Sequence, residues 1–371
     1  MDSPQHLLLI GGGHAHVAVL ADWIENGLPC AEKGVRATLL TPGPTLRYSG
    51  TVPGWIAGQY ERDFGLVDLA GLAKRAGVEL VLDRCVAIDP DAKCVTTGAG
   101  ERLAFDIASI DSGGVGRAVS VLGDDPRLID IRPIDGFVTR LEALPDAARV
   151  AVIGGGAGGV ELAFALNNRA GLQPQEVLFV FGNQGLMPEF SKGVRSRVAQ
   201  ELRRQNITLI AADARIEDGV LMAGGRSLEP VDAIIAALGS AAPEWPRAGG
   251  LACDDQGFIA VDEHQRSTSH PHIFAAGDVA ARQDCKVPHS GVHAVHAGPV
   301  LAANLGAAMR GERPKQSYTP RPASLYLLST GQGEAIASYG PLAAKGGWAA
   351  RLKHWIDNSW LAKYAALVQG L

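Results

Sequence analysis

A chain of 371 residues is long enough for two domains of ordinary size, each burying its own core. An apolar content of 47% beside 46 glycines excludes a disordered chain and suits a fold with many tight strand-to-helix turns. A formal net charge of −5 argues against a nucleic-acid partner, because phosphate binding needs a basic surface.

The opening Met1-Asp-Ser-Pro-Gln-His6 lacks the basic region of a secretory signal, and no apolar run is long enough to span a bilayer. Cys30, Cys85, Cys94, Cys253 and Cys285 contain no Cys-x-x-Cys pair, which favours free thiols in a reducing compartment. A cytoplasmic protein is expected.

Leu7-Leu-Leu-Ile10, Gly11-Gly-Gly-His-Ala-His16 and Val17-Ala-Val-Leu20 read as strand, turn and helix. Gly11 and Gly13 match the first two positions of the dinucleotide fingerprint, one for the turn and one for close approach to a pyrophosphate; His14 and Ala15 follow, and His16 stands at the third position. The strand Val35 to Leu40 ends in Thr41-Pro42 without the usual ribose-binding acid, leaving that contact to Thr41 or to backbone. Arg47-Tyr-Ser-Gly-Thr-Val-Pro-Gly54 is turn-rich: either an ordinary connection or a loop whose Gly50 and Pro53 let backbone approach a flat ring. Leu66 to Gly77 is expected to be helical, and Val78 to Thr97 a meander with Cys85 and Cys94 flanking its Asp89-Pro-Asp91 turn. Phe105 to Ile110 is a further strand. Asp111-Ser-Gly-Gly114 closes the first unit.

Arg149 to Ile153, then Gly154-Gly-Gly-Ala-Gly-Gly159-Val-Glu161, is a full second fingerprint with Gly154, Gly156 and Gly159 in place. Two such turns imply two dinucleotides in separate domains. Glu161, one turn into the helix, either suits the helix dipole or stands near a reacting ring. Val177 to Phe181 ends without a ribose acid and without an adjacent Arg; Arg195 and Arg197 lie downstream, so the 2′-phosphate question stays open. A helix over Val194 to Gln205 and strands at Ile207 to Ile210 and Val231 to Leu238 complete this unit.

Ile273 to Ala276 form a short buried strand, which Gly277 ends and Asp278 follows with a carboxylate at the carboxyl edge, where open sheets bind ligands. A helix starting near Ser290 points its dipole there. His289, His293 and His296 invite a metal reading, but no carboxylate or cysteine cluster supports one, and no metal is expected. An acceptor pocket, proton relay or plain packing are the other readings. Tyr318 to Pro322 is extended, and Leu325 to Leu328 with Glu334 to Tyr339 form a hairpin. In the aromatic tail from Trp348, a helical projection gathers Trp348, Leu352, Trp355, Ile356 and Trp360, with Lys353 and Lys363 snorkelling. Such a helix packs on the body, on a second subunit as a homodimer contact, or on a membrane surface through 348–371.

Taken together, Gly11-Gly-Gly-His-Ala-His16, Tyr48-Ser-Gly-Thr-Val-Pro-Gly54, Phe274-Ala-Ala-Gly-Asp278, Gly291-Val-His-Ala-Val-His-Ala-Gly-Pro299, Ala302-Ala-Asn304 and Leu328-Ser-Thr-Gly331 resemble the pyridine nucleotide-disulfide oxidoreductase superfamily. More narrowly, the chain resembles type II NADH dehydrogenase-like flavoproteins, including the domain found N-terminal to selenophosphate synthetase. The resemblance implies an α/β fold with two Rossmann-like domains, FAD bound by 1–113 with 241–317, NAD(P)H by 114–240, and a C-terminal region over 318–371. It implies that Gly11, Gly13, His14, Ala15, Thr41, Pro53, Gly277, Asp278, Ser290, Gly291 and Val292 surround FAD, and that Gly154, Gly156, Gly159 and Glu161 hold NAD(P)H.

The function so implied is hydride transfer from NAD(P)H to FAD, then electron transfer to a quinone or similar small acceptor, with Glu161, Lys286 and His293 as candidate catalytic groups. The redox-active Cys pair of the disulfide reductases is absent. The alternatives are a sulfide or selenium-compound oxidoreductase using Cys285, and a non-catalytic flavoprotein redox sensor. Localisation is then cytoplasmic, or peripheral on the inner membrane face.

Overall fold

The computed structural model describes residues 5–145, 148–169, 176–321 and 323–370. The strand His6–Ile10 is buried at every position. A strand with no exposed face must be covered on both sides, as in the centre of a parallel sheet. It pairs in parallel with Arg36–Thr41 on one side and Ile107–Ile110 on the other. Ile273–Ala275 and Glu79–Leu82 complete five strands in the spatial order 273–275, 107–110, 6–10, 36–41, 79–82. Alternation divides the central strand between two cores. Leu7 and Leu9 pack with Leu20 and Leu301 from the helices His14–Asn26 and Gly291–Met309, whereas Leu8 and Ile10 meet Ile88, Val95 and Phe105.

The second parallel sheet repeats this plan, in the order Leu128–Asp130, Ala233–Ala236, Val150–Ile153, Val177–Phe181, Thr208–Ala211. In each sheet the strand before a glycine-rich turn lies between a strand that follows it directly and one much later in the chain. The crevice opens at that reversal. A third unit, the antiparallel strands Leu325–Ser329, Ala335–Tyr339 and Leu342–Gly346 followed by the helix Gly347–Gln369, spans both sheets. Leu328 and Ile336 join the core of the second sheet, while Tyr364, Leu361 and Val368 join that of the first.

Several expectations need correction. Leu66–Asp68 is a strand paired with Thr45–Arg47, and only Leu69–Arg75 is helical, capped by the Asp68 side chain on Gly71 N–H. The stretch from Val78 is not one meander, because Glu79–Leu82 belongs to the parallel sheet. Cys85 pairs with Thr97 and Cys94 with Asp89, so the two thiols are not opposed. The C-terminal hairpin gains a third strand. Its helix is rotated from the projected orientation: Ala349, Asp357 and Tyr364 are buried, whereas Trp348, Trp355 and Ile356 are exposed. Pro322, in the extended stretch, lies outside the described residues.

Candidate functional site

Gly11 has φ +94°, and a Cβ there would strike the Asp111 backbone. Its N–H donates to Leu40 O and that of Gly13 to Asp111 O, which fixes the turn between two strand ends. The helix His14–Asn26 starts with Gly13 as N-cap and no side-chain cap of its own. The first-turn N–H groups therefore need an acceptor from elsewhere. Ala15 and His16 N–H donate to Asp111 Oδ2 at 2.8 and 3.0 Å. His16, at the third fingerprint position, is a core group: its ring bonds Gly11 O through Nδ1 (2.6 Å) and Ser109 Oγ through Nε2 (2.8 Å). Burial drives its pKa down to about 4, so the ring is neutral.

At the end of the strand Ile273–Ala275, the Asp278 carboxylate lies beside this turn and accepts from Arg132 Nη2 at 2.7 Å. Arg132 comes from the segment after the strand Leu128–Asp130, so this ion pair ties the second sheet to the closing motif of the first. Thr41 is buried beneath the turn, with Oγ1 facing Gly12. Ser290 is the N-cap of the helix Gly291–Met309, again without a capping bond, and Val292 is exposed. A cavity of about 390 Å³ borders Asp278, Ser290, Arg282, His293 and Tyr318. His293 donates to or accepts from Tyr318 OH at 2.7 Å, with its pKa lowered by burial and then by His296. Lys286 is exposed on the preceding loop, and Cys285 does not line the cavity. His289 reaches Ala280 O and His296 is exposed, so the three histidines diverge.

The loop from Arg47 is partly helical, with Pro53 buried in the helix Val52–Ile56. Tyr48 stacks on Trp360 of the C-terminal helix (centroids 4.8 Å apart), and His14 lies 5.4 Å from Trp360. His14 Nε2, Trp360 Nε1 and Ser290 Oγ are buried with no hydrogen-bond partner among the described residues. Buried polar atoms are rarely left unpaired. These gather where two helix N-termini meet, a fit for a ligand that is anionic along one stretch and polar along its edges.

Beneath that helix lies a charged cluster. Lys353 Nζ donates to Gly50 O and to Asp357 Oδ2, both at 3.0 Å, and Tyr48 OH donates to Asp357 Oδ1 at 3.1 Å. Burial opposes the Lys353 charge, but Glu161 and Asp357 outweigh it and hold its pKa above the ordinary range. Lys353 is thus half-buried and paired, where the projection had it snorkelling. Glu161 accepts from Ser329 N–H at 2.9 Å; burial raises its pKa, against Lys353 and that N–H, which favour the anion. A cavity of about 280 Å³ runs past Lys353, Tyr60, Gln59 and Ser329.

In the second sheet Gly154 (φ +132°) and Gly159 pack closely: a Cβ on Gly159 would strike Gly154 O. Gly156 differs, since a Cβ there would meet nothing within 4 Å, so it faces the space a ligand approaches through. After Val177–Phe181, where the sequence offers no acid, Asp213 folds in from the next strand's end and accepts from Asn183 N–H (3.0 Å) and Nδ2 (2.5 Å). Sequence alone assigns Arg132, Asp213 and Asp357 no role, and it marks Lys353 only as snorkelling and Asp111 only as the end of the first unit. No local motif marks them; only the proximity of Asp111 to a strand end gave any hint.

A pair of dinucleotide crevices on parallel sheets, the first closed by a downstream acid, defines the flavin-dependent pyridine nucleotide oxidoreductases, enzymes that use FAD and NAD(P)H. The chain belongs to the pyridine nucleotide-disulphide oxidoreductase family, whose sequence profile matches residues 5–298. It is 29% identical over 304 residues to the 5,5'-dehydrodivanillate O-demethylase ferredoxin reductase subunit of a Sphingobium species, covering 75% of this chain and 68% of that one. It is 28% identical over 249 residues to an NADH dehydrogenase-like protein of Mycobacterium tuberculosis, covering 60% of each. Its fold matches the sulfide:quinone oxidoreductase structure from Aquifex aeolicus with a TM-score of 0.76 at 19% identity, over 98% of this chain and 92% of that one. All five cysteines here are free thiols. No group of three or more metal-ligating side chains occurs among the described residues.

Proposed function

We propose that this enzyme oxidises NADH at FAD and passes the electrons to a quinone-like acceptor. On this reading 1–113 with 241–317 form the flavin unit, 114–240 the nicotinamide unit, and 318–371 a cap across both. When bound, FAD supplies hydride acceptance and onward electron transfer. The Gly11–Gly13 turn and the His14 N–H hold its pyrophosphate, Asp278 binds the ribityl side, and Thr41 and Pro53 bound the pocket. The N-terminus of the helix Gly291–Met309, with Ser290, Gly291 and Val292, favours negative charge at the ring edge beside it. Gly154, Gly156 and Gly159 hold the nicotinamide dinucleotide. Asp213 accepts from a ribose hydroxyl and repels a 2′-phosphate, which selects NADH over NADPH.

The observation that carries the acceptor side is the cluster of Glu161, Lys353 and the buried Asp357 beside the cleft at Tyr60 and Ser329. Quinone reduction consumes protons, and a carboxyl group whose pKa desolvation raises, beside a half-buried ammonium, can deliver them. Glu161 is thus a proton donor here, while His293, bonded to Tyr318, and the exposed Lys286 act outside the reaction. The exposed Trp348 and Trp355 suit peripheral contact with the membrane in which such an acceptor dissolves.

The test is anaerobic titration of the purified protein. NADH should bleach the flavin absorbance at far lower concentration than NADPH, and a soluble quinone should restore it. Retained flavin that NADH fails to bleach, or reduced flavin that quinone leaves reduced, overturns this reading. Unchanged turnover in Cys285→Ser would dismiss the sulfur alternative, and loss of flavin in Asp278→Ala is expected.

A further inference from the structure

Asp111 is only 3% exposed, yet it stands between the two motifs assigned to FAD. A Cβ on Gly13 would strike its carboxyl group, and one on Gly277 would strike Oδ1. Both glycines are therefore bare around the same carboxyl. Oδ2 takes two of the first-turn N–H donors that a pyrophosphate seeks, while Oδ1 has no hydrogen bond among the described residues. A dinucleotide on this turn brings an anion next to this carboxylate, with Asp278 a second one nearby. Three negative charges at one helix terminus repel strongly in a buried site.

We propose that Asp111 binds the pyrophosphate as a carboxylic acid, Oδ2 accepting from Ala15 and His16 N–H and the Oδ1 proton donated to a phosphate oxygen, so that FAD capture takes up one proton. The inference rests on placing FAD at the Gly11–Gly13 turn. Burial already lifts this carboxyl to about 7, with Asp278 adding to the rise and the two N–H groups opposing it. The other titratable groups facing it are His16, whose ring is committed to Gly11 O and Ser109, His14, and Arg132 through Asp278. Proton uptake draws on solvent through buffer; no other reactant is required.

The experiment follows flavin release from the holoprotein by fluorescence from pH 5.5 to 9, with calorimetry of FAD rebinding in two buffers of different ionisation enthalpy. The FAD dissociation constant should be flat at low pH and rise about tenfold per pH unit above neutrality, with close to one proton taken up at alkaline pH. Asp111→Asn, which keeps a donor beside the phosphate, should bind FAD with a flat profile and no uptake; His14→Gln should keep the slope. A flat wild-type profile with no uptake, or a slope retained in Asp111→Asn but lost in His14→Gln, overturns the proposal while leaving the FAD site standing. Should Asp111→Asn fail to fold, the wild-type proton count alone decides. Absence of FAD binding at every pH would instead remove the underlying placement.

Discussion

His16 shows how one side chain can replace a glycine without loosening a nucleotide turn. It fills the helix–sheet gap and bonds Gly11 O and Ser109 at once. His16→Ala should cost about 2–4 kcal/mol, from a cavity and two buried groups left unpaired. Its folded pKa of about 4 lies below the ordinary 6.5. The unfolded chain therefore binds the extra proton between those values, and the His16 contribution falls as pH drops from 6.5 toward 4. Urea denaturation at pH 7.5 and at pH 5 should show a smaller wild-type advantage over His16→Ala at pH 5. Asp213 offers a second test. Asp213→Ser should lower kcat/KM for NADH roughly tenfold and narrow the preference over NADPH, as expected for loss of one charge-assisted hydrogen bond.

The C-terminal helix acts as a clamp whose grip is partly ionic. Lys353 and Asp357 have side chains 15% and 4% exposed, and they tie the helix to Gly50 and Tyr48. Lys353→Ala would leave the buried Asp357, still bonded to Tyr48 OH, without a counter-charge near Glu161, at a cost of ~3–5 kcal/mol. The double change Lys353→Met with Asp357→Leu should recover much of this, since replacing both partners removes the uncompensated charge. Chemical denaturation of both variants beside the wild type checks this. Quinone turnover should fall in both Lys353 variants, whether or not stability returns, because the cation beside Glu161 is gone.

At the scale of the whole molecule, the C-terminal unit joins the two nucleotide crevices and also carries the most exposed aromatic face. Trp355 is 66% and Trp348 47% exposed, and no helix among the described residues is long and apolar enough to cross a membrane. If that face meets lipid, the protein should pellet with anionic liposomes, and Trp348→Ser with Trp355→Ser should abolish pelleting without changing the sedimentation coefficient of the free protein. A changed coefficient would assign the face to a second copy instead.

The central strands of both parallel sheets, both glycine turns and the Gly277-Asp278 edge could be read directly from the chain, because each depends on neighbours within a few residues: unbroken apolar runs, absent side chains and a carboxylate at a strand end. The charged partners could not. Asp111 reaches Ala15 across 96 positions and Arg132 reaches Asp278 across 146. The rotation of the last helix was hidden for a related reason. Its apolar and charged residues are mixed around the circumference, so the choice of buried face went to Lys353, Asp357 and Trp360, for which the rest of the fold supplied partners. Local pattern determined the scaffold; burial, by bringing charged groups from distant parts of the chain together, decided the chemistry of its crevices.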